Sequence, residues 1–115
     1  MCIRDRILWD KKGVPVCTAG GVQQIPMLVP DGAGGAIAYW LDYLEDFGDT
    51  TEDAIYAQRI DANGTTLWQK NGVPVCDAGK EQITPRAVSA GVGSAIVVWS
   101  DARGGDYDIY IHRVQ

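Results

Sequence analysis

The sequence predicts an all-β fold assembled from tandem copies of one four-stranded antiparallel unit. Three observations carry that prediction. The chain superposes on itself at an offset of 59 residues, so that Cys17 meets Cys76 and Trp40 meets Trp99. Its longest apolar runs, Ala36-Ile37-Ala38-Tyr39-Trp40 and Ala95-Ile96-Val97-Val98-Trp99, are strand-sized and sit close behind glycines. No window keeps apolar residues at a sustained helical spacing, and 14 glycines interrupt every candidate helix.

The internal match sets the unit. Leu8-Trp9 falls on Leu67-Trp68, Gly13-Val14-Pro15-Val16-Cys17 on Gly72-Val73-Pro74-Val75-Cys76, Gln23 on Gln82, Pro26 on Pro85, Val29 on Val88 and Asp42 on Asp101. Beyond Tyr43 the offset drops to 54, which places Ile55-Tyr56 on Ile109-Tyr110 and Arg59 on Arg113. The first copy therefore carries about five additional residues in the acidic stretch 44–53. An insertion confined to one stretch marks a surface loop, where lengthening adds little closure entropy.

In chain order, residues 25–29 read as a strand with proline near its start, where a missing N–H is tolerated. Asp31-Gly32-Ala33-Gly34-Gly35 is a turn. Residues 35–41 follow as a continuous apolar run, the pattern of a strand buried on both faces. Residues 54–61 mix apolar and polar positions, as a less buried strand does. Asn63-Gly64 is a two-residue hairpin signal, and it predicts a fourth strand over residues 65–69, trailed by Gly72-Val73-Pro74-Val75-Cys76.

A four-stranded unit of this length is one blade of a β-propeller. It exceeds a β-helix coil of roughly 20 to 30 residues and falls short of an immunoglobulin-like sandwich of about 100. The chain thus reads as a β-propeller fragment of about two blades. Residues 7–22 are the outer strand and trailing segment of a preceding blade, 23–79 a complete blade and 80–115 an incomplete one. Met1-Cys2-Ile3-Arg4-Asp5-Arg6 resembles a translated transposase mosaic-end sequencing adapter, so residues 1–6 are set aside as an artefact. Two blades close no ring, and low stability is expected of the isolated piece; self-association into a ring is the other outcome.

Composition narrows the function classes. A net charge of −5 lacks the clustered cations that phosphate backbones demand, so nucleic acid is not an expected partner. Membrane insertion is not expected, because no apolar run approaches the roughly 18 residues that a spanning helix needs. Cys17 and Cys76 occupy equivalent points of neighbouring repeats, too far apart for a disulfide, and read as small buried thiols.

The stretch Asp101-Ala102-Arg103-Gly104-Gly105-Asp106-Tyr107-Asp108-Ile109-Tyr110, with Gln58-Arg59-Ile60-Asp61-Ala62-Asn63-Gly64 and Leu67-Trp68, resembles the large repeat arrays of secreted bacterial proteins that often end in a sorting domain. It is similar, more loosely, to sialidase-type propellers. Asp61-Ala62-Asn63-Gly64-Thr65-Thr66-Leu67-Trp68 has the Asp, Gly and Trp of an Asp-box at altered spacing, and that element stabilises a turn without catalysing anything. The resemblance implies export, an extracellular or cell-surface location, a carbohydrate or protein ligand, and further blades of the same chain as partners.

No catalytic residue is assigned. Arg59 with Arg113, Asp42 with Asp101 and Tyr56 with Tyr110 recur in both copies, and a residue repeated in each blade is explained by what each blade needs to fold. His112, the only histidine, aligns with Gln58 on a strand. The four tryptophans fall in repeat pairs and read as packing residues. The acidic loops offer weak calcium ligands, Asp46, Asp49, Glu52 and Asp53 in one copy and Asp101, Asp106 and Asp108 in the other; otherwise no cofactor is expected. The function expected is that of a non-enzymatic extracellular binding or structural scaffold. The alternative is a fragment of a sialidase-like carbohydrate-active enzyme.

Overall fold

The computed structural model describes residues 9–10, 12–18, 22–43, 53–76 and 82–115. Residues 1–6 and most of the acidic stretch 44–53 lie outside them, as do Asp46, Asp49 and Glu52. The described residues form seven strands and no helix, in two antiparallel sheets. The first sheet has the order β1-β2-β3-β4, with β1 Val22–Pro30, β2 Ala36–Tyr43, β3 Asp53–Ile60 and β4 Val73–Cys76. The second has the order β5-β6-β7, with β5 Gln82–Ser89, β6 Ala95–Asp101 and β7 Asp108–Val114.

Repeat-equivalent residues occupy equivalent registers. Val29 pairs with Ile37 as Val88 pairs with Ile96, and Trp40 with Tyr56 as Trp99 with Tyr110. The duplication reaches a strained detail. β1 slips register between Gln24 and Met27, and β5 between Ile83 and Arg86. Ile25 and Thr84, at the same point of the two bulges, have φ of 55° and 56°. Both are β-branched, so each left-handed conformation costs about 1–2 kcal/mol. Both precede a proline, whose ring disfavours the right-handed helical alternative for the residue before it.

The fourth strand departs from expectation. Residues 65–69 contribute only a single bridge, Ile60 to Thr66, and the Val73–Cys76 segment supplies β4. The cause lies in the Gln58 side chain. Its Oε1 accepts the N–H of Trp68 at 2.8 Å, and its Nε2 donates to the carbonyl of Gln69 at 2.7 Å, so a side chain takes the backbone groups that a strand would have offered to β3. Pro74 is accommodated because β4 is an edge strand.

The core lies between the sheets. Val29, Ile37, Tyr39, Leu41, Ile55, Ala57 and Val75 of the first sheet pack with Ala95, Val97, Trp99 and Val114 of the second. Strand alternation makes this a front-to-back contact. In the first sheet the buried face carries Ile37 and Tyr39; in the second it carries Ala95, Val97 and Trp99, whose counterparts Ala36, Ala38 and Trp40 lie on the opposite face of β2. Trp40 and Trp99 are both buried, each stacked on a tyrosine, Tyr56 and Tyr110 respectively.

Candidate functional site

The aspartates are largely consumed by the turns. The carboxylate of Asp31 accepts the N–H groups of Ala33 and Gly35, each at 2.8 Å, and that of Asp61 accepts those of Asn63 and Thr65. Asp10 holds the N–H of Lys12 in the same way. Each side chain substitutes for a missing backbone acceptor at the start of a tight turn. At Asp61 the hairpin closes with Gly64 at φ 86°, so a single left-handed glycine, not a pair, completes the turn.

One of these turns links the sheets. Asp31 Oδ2 accepts from Arg59 Nε at 3.0 Å, and the Asp31 carbonyl accepts the N–H of Gly93 at 2.8 Å from the second sheet. The guanidinium of Arg59 lies where a Cβ on Gly93 would stand, so a side chain there would displace it. The backbone N–H of Ala33 and then the Arg59 guanidinium hold the Asp31 carboxyl below the usual range, against an opposing effect of burial.

The densest polar cluster is formed where β4 of the first sheet meets β6 and β7 of the second. Asp101 is buried, and its Oδ2 accepts from Trp99 Nε1 at 2.9 Å and from Arg103 Nη2 at 2.7 Å, while Oδ1 accepts the backbone N–H of Arg103 at 2.9 Å. Arg103 Nη2 also donates to Cys76 Sγ at 3.2 Å, and its guanidinium lies 3.7 Å over the ring of Tyr110. The result is a ladder of Trp99, Tyr110 and Arg103 closed by a carboxylate. Burial pushes the Asp101 carboxyl upward, but Arg103, Trp99 and the Arg103 backbone together outweigh it and hold its pKa at about 2. The same ion pair raises the Arg103 guanidinium further above its ordinary value.

A cavity of about 310 Å³ opens beside this cluster, lined by Val75, Cys76, Trp99, Arg103, Tyr110, Ile111 and His112. Its lining combines one guanidinium, an imidazole and aliphatic side chains with two aromatic rings that are already stacked within the protein.

Of the predicted calcium ligands, the structure describes the side chains of Asp101, Asp106 and Asp108. Asp46, Asp49 and Glu52, and the side chain of Asp53, lie outside the described residues. Asp101 is engaged by four donors, Trp99 Nε1, Arg103 Nη2, the Arg103 backbone N–H and the Cys76 thiol, whereas Asp106 on the turn and Asp108 at the start of β7 are exposed. Among the described residues no group of three or more His, Cys, Asp or Glu side chains stands close enough to hold a metal ion. Among the described residues no helix is long and apolar enough to cross a membrane. Cys17 and Cys76 are in no disulfide.

Arg103 escaped the repeat argument because it falls opposite the stretch 44–53, where the offset changes and no counterpart is defined. That break in symmetry was itself the available signal. Compared with known protein families, with curated proteins and with solved structures, the chain matches none.

Proposed function

We propose that the chain is a non-enzymatic repeat module of an extracellular β-propeller, acting as a binding or structural scaffold. The observation that carries this reading is the front-to-back packing of two equivalent sheets across the Ile37, Tyr39, Val97 and Trp99 core, the contact that neighbouring blades make. Antiparallel order within each sheet and the bulges at Ile25 and Thr84 support a common unit of construction. The scaffold role is supported by where the polar groups are spent: the repeat-equivalent Arg59 and Arg113, with Asp31, Asp61 and Asp101, are all engaged in turns or in links within the protein. Extracellular placement follows from the resemblance to secreted repeat arrays, and nucleic acid is disfavoured by the acidic net charge of −5.

Ligand engagement falls to the cavity beside Trp99, Tyr110 and Arg103. A glycan array, run with a fluorogenic sialoside turnover assay on the same protein, tests the reading. Saturable binding that weakens on Tyr110→Ala, with no product released, is the expected result. Release of the fluorophore would replace the scaffold reading with the sialidase-like one.

A further inference from the structure

The duplication makes the two sheets a control for one another, and the comparison exposes a face that is finished in one and open in the other. Val29, Ile55 and Ala57 of the first sheet are 8%, 0% and 0% exposed, because the second sheet covers them. Their counterparts Val88, Ile109 and Ile111 are 62%, 72% and 67% exposed. Of these, Val88 and Ile111 line a shallow notch of about 180 Å³ together with Arg86, Ala87, Ile96 and Val98. Contiguous apolar surface of this kind on a soluble chain marks a contact site. Arg113 stands on the same open face, as Arg59 stands on the covered one, and it is turned back onto Ser94 Oγ at 2.8 Å and the Ala90 carbonyl at 3.1 Å.

The complementary surface is present on the same molecule. The face of β1 and β2 turned away from the second sheet carries Leu28, which is 70% exposed, while its counterpart Ala87 is packed against the core. The edges match as well. β7 is an edge strand among the described strands, whereas its counterpart β3 is flanked by β4. The β4 sequence Gly72-Val73-Pro74-Val75-Cys76 recurs as Gly13-Val14-Pro15-Val16-Cys17, and that copy belongs to no described strand.

We propose that this chain associates head to tail with a second copy of itself. The open face of β5, β6 and β7 receives the outer face of the second copy's first sheet, and the second copy's residues 14–17 add to the free edge of β7. The contact repeats, between molecules, the one already made within the chain: Arg113 takes the place of Arg59 and lies against the second copy's Gly34, the counterpart of Gly93. Because the two surfaces differ, the interface is heterologous and generates a ring or an open series of chains, not an isologous dimer. It extends the repeat reading above but needs only the packing between the sheets, so it stands or falls apart from the ligand and turnover assays.

Sedimentation velocity with paired variants tests it. The wild-type chain is expected to exceed its monomer mass of 12.4 kDa increasingly with concentration. Ile111→Glu and Leu28→Glu each destroy one surface and leave the other, and both positions are exposed, so the β-sheet circular dichroism is retained. Each variant alone still presents one intact surface but no mate for it, and sediments as a monomer. Their mixture restores a single interface and yields a one-to-one dimer of roughly doubled mass. A second measurement does not depend on mass. Ile55 is the register partner of Cys76, so Ile109→Cys should form an intermolecular disulfide with Cys17 under mild oxidation, lost on Cys17→Ser. A wild-type chain that stays monomeric at all concentrations, a mixture that remains monomeric, variants that associate as well as wild type, or a crosslink indifferent to Cys17 would each overturn the proposal.

Discussion

In the first sheet Arg59 is anchored by a carboxylate, Asp31; in the second its counterpart Arg113 is anchored by a hydroxyl, Ser94, and a carbonyl, that of Ala90. Two positions have changed together. Where the first turn has Asp31 and Gly35, the second has Ala90 and Ser94. A Cβ on Gly35 would run into the Ile60 carbonyl and lie 2.9 Å from Asp31 Oδ2. With alanine at the first position that carboxylate is gone, and a serine at the fifth supplies the acceptor instead. What the two copies preserve is an oxygen for the arginine, and the side chain that carries it is free to move along the turn.

The comparison is broken most severely at Gly35. Gly35→Ala is expected to destabilise the protein by about 3 kcal/mol through overpacking against backbone. The reciprocal Ser94→Gly should cost only about 1 kcal/mol, the worth of one hydrogen bond to a charged, partly exposed partner. Urea unfolding midpoints of the two variants measure the difference, and equal losses would mean that the turns are not equivalent.

A gentler intervention asks whether the exchange is truly paired. Asp31→Ala alone removes the acceptor for two backbone N–H groups and for Arg59, at about 2 kcal/mol. Asp31→Ala combined with Gly35→Ser imports the second turn into the first. The double variant should be more stable than the sum of the two single losses by about 1 kcal/mol, read from a thermodynamic cycle.

The smallest expected effect separates Asp42 from Asp101. Burial raises the Asp42 carboxyl, an effect that its polar neighbours only partly oppose. Asp101 is held at about 2, below the ordinary 3.8. The two therefore respond to acid with opposite sign. The contribution of Asp101 is complete above the ordinary value and is lost as the pH falls through about 2. For Asp42 the charged form opposes folding, and acidification through its raised pKa relieves that opposition. Stability measured from pH 7 down to pH 2 should thus fall less steeply below pH 4 in Arg103→Gln than in wild type, with a loss of about 1 kcal/mol at neutral pH. Asp42→Asn should leave neutral stability unchanged or higher.

Much of this architecture was legible in residues alone, because it rests on local chemistry. The offset between Cys17 and Cys76, the apolar runs ending at Trp40 and Trp99, and the turns opened by Asp31 and Asp61 each announce themselves in consecutive residues. The fourth strand was misplaced for a non-local reason: the Gln58 side chain captures the backbone at Trp68 and Gln69 from ten and eleven residues away. The candidate site was legible only as an asymmetry, an arginine standing where the two copies cease to match. Its partners Cys76 and Tyr110 stand on strands of different sheets, and no sequence spacing brings them together.

The bulges at Ile25 and Thr84 bear on how the molecule avoids uncontrolled growth. Each lies in the first strand of its sheet, where a left-handed residue and a following proline interrupt the row of backbone donors that an incoming strand would read. β7, at the other margin of the second sheet, has neither interruption. Strand addition is therefore hindered at the β5 margin of the second sheet and open at the β7 margin, so the two edges of one sheet are chemically unequal.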